Sequence, residues 1–131
     1  MLLKKELTRW LADHPLIRIG ILFGSANDGE AGFGSDLDLA VMGPRALPAD
    51  ERKAAIETLA RISGRPVDLV DLQTTRGPLL RQILDTGHCL YCSDDALYAE
   101  LLKRHVFDQT DWAPYRRRIL KERRQRWISS S

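Results

Sequence analysis

Asp36 and Asp38 stand two residues apart in Asp36-Leu37-Asp38-Leu39-Ala40-Val41. On an extended strand this spacing projects both carboxylates from one face and sends Leu37, Leu39 and Val41 to the other. Adjacent anions cost stability unless a cation sits between them, and Mg²⁺ shared by carboxylates and substrate phosphates is the usual solution. A third oxygen ligand is available in Val67-Asp68-Leu69-Val70-Asp71. With Val67 and Leu69 in the buried phase, Asp68 falls on the polar face and Asp71 on the other, so Asp68 is the better candidate. Upstream, Gly24-Ser25 closes an apolar run. Glycine there lets a phosphate approach the backbone, and a hydroxyl with exposed N–H groups can hold its oxygens. Three carboxylates and a phosphate-binding turn are the parts of a two-metal transfer, in which one ion orients an attacking hydroxyl and the other clamps the triphosphate and the leaving pyrophosphate.

The elements that position these residues follow from periodicity. Leu3, Leu7, Trp10 and Leu11 predict an amphipathic helix over 2–13, ended by Asp13-His14-Pro15. Ile17 to Phe23 reads as a strand, 26–34 as a loop with three glycines, and 36–41 as a strand with one buried face. Asp50 can cap a helix lined by Ile56, Leu59 and Ile62, with Gly64 as its left-handed terminator. A third strand covers 66–72. Thr74 or Thr75 can cap a helix through Leu84, with Pro78 in its first turn and Gly87 ending it. A short strand at 88–92, a helix capped by Ser93 with Asp94 and Asp95 in its first turn, and a last helix over about 111–127 complete the chain. The expected fold class is α/β (α+β), a small mixed sheet flanked by helices.

Taken singly, Asp-x-Asp is common on exposed strand faces and Gly-Ser commoner still at turns. Their joint spacing is more specific. Gly24-Ser25, ten residues, then Asp36-Leu37-Asp38 resembles the Gly-Ser-x10-Asp-x-Asp signature of the DNA polymerase β-like nucleotidyltransferase superfamily, in its minimal, MNT-type branch. The likeness covers about 16–92 within a single domain of 1–131, with C-terminal helices over about 94–127. It implies that Gly24 and Ser25 bind the triphosphate, with Ser35 a further nucleotide-binding residue. It further implies that Asp36 and Asp38 ligate two Mg²⁺ ions and that Asp68 ligates one and acts as general base. ATP is the implied substrate. Many such domains are encoded beside HEPN-domain ribonuclease toxins and act as antitoxins by transferring AMP to a toxin tyrosine, so a hetero-oligomer with a HEPN toxin is the implied partnership. Neutralisation by binding alone, and nucleotidyl transfer to an antibiotic, are the alternatives. The family commonly has Gly-Ser-x-Ala-Arg-Gly, where this chain has Gly24-Ser25-Ala26-Asn27-Asp28-Gly29. Asp28 thus replaces a phosphate-holding cation, unless it turns to solvent or Arg65, Arg76 or Arg81 approaches from elsewhere.

The 131 residues carry a net charge of +2, but residues 111–131 hold seven basic and two acidic side chains against 13 and 16 in the rest. Trp112, Tyr115, Ile119, Leu120 and Trp127 fall near one helical stripe among those basic residues. They fit either a docked helix with a solvated basic face or a partner contact; direct nucleic-acid binding is not expected, because no base-reading module accompanies them. Arg18 breaks the longest apolar run, so no membrane span is expected, and the N-terminus lacks a secretory signal, which points to the cytoplasm. Cys89 and Cys92 form half of a metal motif at most and read as ordinary reduced cysteines in a strand.

Overall fold

A computed structural model describes residues 2–24 and 36–107. Its elements are α1 (Leu2–Asp13), β1 (Ile19–Phe23), β2 (Leu37–Met42), α2 (Ala49–Ser63), β3 (Val67–Asp71), α3 (Gly77–Thr86), β4 (His88–Cys92) and α4 (Asp95–Phe107). The strands form one sheet in the order β3-β2-β1-β4. β1 runs antiparallel to both neighbours, while β2 and β3 are parallel and joined through α2. The expected mixed sheet flanked by helices is present; the helix anticipated over 111–127 and the loop over 26–34 lie outside the described residues.

Helices cover both faces. Ile19, Ile21, Phe23, Ala40, Met42 and Val70 pack beneath Leu80, Ile83 and Leu84 of α3 and Leu97, Leu101 and Leu102 of α4. Leu22, Leu37, Leu39, Val41 and Leu69 pack against Leu7 and Leu11 of α1 and Ala55 and Leu59 of α2. This explains why all five residues of β1 are buried, as in a strand enclosed on both sides. It also corrects the expectation for β2: its second face is polar only at the start, and Ala40 and Met42 are buried further along. Gly20 permits the close approach of α1, since a Cβ there would meet Leu11 Cδ1 at 2.4 Å. Between β1 and β4 the register shifts at Gly20/Ile21, with Tyr91 opposite Gly20 and Cys89 opposite Ile21. Leu90 is therefore the extra residue of a bulge. Leu90 and Tyr91 both pack on the α1 side, whereas Cys89 and Cys92 pack on the side of α3 and α4.

Three helix starts differ from expectation. Asp50 lies inside the first turn of α2, whose N-cap is Pro48. Arg76, in extended conformation, precedes α3, and the hydroxyls of Thr74 and Thr75 instead donate to the Asp71 carbonyl. At α4 the cap is Asp94, whose Oδ1 accepts the Leu97 N–H at 3.0 Å, while the Ser93 hydroxyl donates to the Arg18 carbonyl. Where several capping residues are adjacent, the one chosen depends on how the chain leaves the preceding strand. Gly64 does adopt the left-handed conformation that ends α2 (φ 67°). Among the described residues, no helix is long and apolar enough to cross a membrane.

The Leu97 N–H and the Arg18 guanidinium, 2.9 Å from Oδ2, hold the Asp94 carboxyl below its ordinary value. A depressed carboxylate stabilises the fold above its unfolded-state pKa, and that contribution disappears as pH falls through the folded-state value. Asp94→Ala should therefore lower the melting temperature at pH 7, and the gap from the parent should close as pH drops below about 4, as read by thermal melts across pH.

Candidate active site

Asp36 immediately precedes β2, and Asp38 is the second residue of that strand. Parallel pairing sets Asp38 directly opposite Asp68, so the two side chains share a face. The ladder is pinned beside them by the Leu37 N–H donating to the Pro66 carbonyl at 2.8 Å. Further along that face Ala40, Met42 and Val70 lie beneath α3 and α4, but at the strand starts Asp36 and Asp68 are exposed and Asp38 is half-buried. The same end of the sheet receives the end of β1, where Phe23 pairs with Asp38. Gly24 follows with φ +73°, and a Cβ there would lie 2.1 Å from Asp38 Oδ2. Both the backbone angle and the approaching carboxylate restrict this position to glycine.

Burial, then the charges of Asp68 and Asp36, push the Asp38 carboxyl above its ordinary value. Asp71 has a different role. Its Oδ2 accepts the Leu47 N–H at 2.7 Å and its Oδ1 the Gln73 N–H at 2.9 Å, so this buried carboxylate ties the loop before α2 to the turn after β3. The phase argument separating Asp68 from Asp71 thus corresponds to a real difference in surroundings. Among the described residues, no three His, Cys, Asp or Glu side chains close into a metal-holding cluster. Asp36, Asp38 and Asp68 are nevertheless hard oxygen donors at one end of the sheet, and mutual repulsion opposes their closing together without a cation. The donor set fits Mg²⁺.

Ser25, Asp28 and Ser35 lie outside the described residues. Of the three alternative cations, Arg65 sits two residues before β3, at the carboxylate end, with Nη1 buried and lacking a hydrogen-bond partner among the described residues. Arg76 stands before α3 at the other end of the sheet, and Arg81 pairs with Asp85 at 3.6 Å. Sequence reading missed the contact between Gly24 and Asp38, because fourteen positions separate them and only the antiparallel register of β1 and β2 brings them together.

Residues 5–96 match the family described as Polymerase beta, Nucleotidyltransferase. The chain belongs to this family. Its relatives include the protein adenylyltransferase MntA of Shewanella oneidensis, 32% identical over 99 residues that span 73% of this chain and 71% of that protein. The nucleotidyltransferase fold recurs in a crystal structure of a toxin–antitoxin complex with AMP-PNP, at TM-score 0.67 and 25% identity, covering 97% of this chain and 96% of the other. It recurs also in a structure of the tri-AMPylated Shewanella oneidensis HEPN toxin with its MNT antitoxin, at TM-score 0.63 and 24% identity, covering 98% and 95%.

Two substitutions separate the carboxylates by role. Asp38→Asn removes a charge that burial and its neighbours disfavour. A raised carboxyl weakens the fold as pH climbs from the unfolded-state value through the folded-state one, and the deficit is constant above that window. The metal-free variant should therefore melt higher than the parent at pH 7 and no higher near pH 3. Asp71→Ala leaves two part-buried N–H groups without their acceptor and should cost about 1 kcal/mol for each. Denaturant titration of both variants without metal measures the contrast.

Proposed function

We propose that this nucleotidyltransferase moves AMP from ATP to a tyrosine hydroxyl of a HEPN-domain toxin and thereby acts as its antitoxin. The observation carrying this reading is the in-register pairing of Asp38 with Asp68 beneath Gly24, in a chain 32% identical to a protein adenylyltransferase. Gly24, with Ser25 and Ser35 from the adjoining segment, binds the triphosphate. Asp36, Asp38 and Asp68 would hold two Mg²⁺ ions, which when bound neutralise the carboxylates and the charge developing on the phosphates. The acceptor hydroxyl attacks in line, its oxygen bonding to the α-phosphorus as the bond to the bridging oxygen breaks and pyrophosphate leaves. Asp68, exposed at the start of β3, takes the hydroxyl proton. Gly24 keeps the backbone low over Asp38, so that this carboxylate and the α-phosphate can meet. Arg65, at the same end of the sheet, brings positive charge where Asp28 does not. ATP and reduced cysteines suit a cytoplasmic setting.

Asp28, four residues after Gly24 in the sequence where the family commonly has Arg, favours a second reading, neutralisation by binding alone. Incubating the chain with labelled ATP, Mg²⁺ and a HEPN-domain toxin distinguishes the two. Label should appear on the toxin and be lost by about a hundredfold or more with Asp36→Ala or Asp38→Ala. An unlabelled toxin that is still bound and neutralised by both variants establishes the second reading instead. In the same assay Gly24→Ala, which drives a methyl group into Asp38, should lose label transfer while retaining a cooperative melt.

A further inference from the structure

A second charged feature lies around the edge of the sheet from the carboxylates. Lys5, Thr8, Arg9 and Ala12 recur at helical spacing along α1, with Lys4 beside them, and face β4 across an open depression of about 490 Å³ lined on the other side by His88, Cys89 and Leu90. Lys5, Arg9 and His88 are exposed and Lys4 is partly so. Among the described residues none of these four makes an ion pair, and the cavity wall contains no Asp or Glu. Three basic side chains, Lys4, Lys5 and Arg9, are therefore grouped here with no ion-pair partner among the described residues, although residues 1–110 together are mildly acidic.

The position of the cavity matters as much as its charge. His88 pairs with Leu22, one residue before Phe23, which pairs with Asp38. The groove thus opens at the catalytic end of the sheet, yet β4 lies two strands, roughly 10 Å, from β2. Leu22 packs on the α1 side, opposite the face carrying Asp38 and Asp68. Cations so placed are too distant to clamp the phosphate under attack. They suit a macromolecule whose reactive residue reaches over the end of the sheet. β4 is the terminal strand among the described residues, so its outer edge offers extended backbone against which a peptide can lie. Among the described residues lining the cavity there is no Phe, Tyr or Trp to stack successive bases, and His88 supplies its one ring.

We infer that the groove between α1 and β4 docks an acidic, extended segment of the protein that accepts AMP, and so delivers the acceptor residue to the carboxylate end. The inference rests on the adenylyl-transfer reading and assigns that site its acceptor surface. Its test is the Lys5→Glu/Arg9→Glu double variant, with Lys5→Ala/Arg9→Ala as a milder companion and thermal melts confirming folding. Transfer to a HEPN-domain toxin, its binding, and AMP-PNP binding are measured in parallel at two salt concentrations. The expected result is a fall in kcat/KM for the toxin of about tenfold or more, carried by KM and shrinking at high salt, with AMP-PNP affinity within about twofold of the parent. Unchanged kcat/KM and toxin affinity overturn the inference. Loss of AMP-PNP affinity makes the groove part of the nucleotide site and also overturns it, as does a loss confined to binding of a labelled RNA oligonucleotide. If the parent binds the toxin without labelling it, the transfer reading fails by itself, and weaker binding by the charge-reversed variant still identifies the groove as the docking surface.

Discussion

Three carboxylates gathered at one end of a sheet are electrostatically unfavourable, and much of the architecture serves to keep them there. Repulsion among Asp36, Asp38 and Asp68 acts to separate β2 from β3 at their starts. Opposing it are the parallel ladder between those strands and the apolar layers on both sides of it, which continue to Leu72 through the Leu72 N–H bond to the Val41 carbonyl. The charges stand where the helical cover ends, close enough to water to ionise and close enough to the core to be held in register. A cation bound there would relieve the repulsion that attracts it.

The division of labour between Asp68 and Asp71 shows how economical the arrangement is. Both belong to one five-residue strand, and alternation sends them to opposite faces. One is left exposed, while the other is buried and accepts from two backbone N–H groups that fix the connections on either side. The same residue type thus stands exposed at one position and fastens the backbone at the other, distinguished only by what surrounds it.

Much of this was legible in the sequence because periodicity and spacing are local. The amphipathic α1, the branched run of β1 and the left-handed Gly64 follow from neighbours a few residues apart. The Gly24-Ser25 to Asp36-Leu37-Asp38 spacing carries the family. Capping was harder to read, since Ser93 and Asp94 compete for one role and backbone direction decides between them. Burial of the second face of β2 was hidden because Asp36 and Asp38 give the strand start the look of a solvent face, while Ala40 and Met42 lie beneath helices some forty to sixty positions later in the chain. The strand order, the contact between Gly24 and Asp38 and the groove beside β4 are products of long-range pairing.

The extra residue in β4 sets the geometric phase of everything before it. Counted back from Tyr91 by strict alternation, His88 would face α3 and α4, and Cys89 would face α1. Leu90, by occupying the bulge, exchanges them, so the partly buried Cys89 packs against the apolar layer beneath α3 and α4 and the imidazole joins the lysines and arginine of α1. One inserted position thereby turns the start of the strand over and, without carrying any charge itself, brings an imidazole to the side of the basic α1 residues.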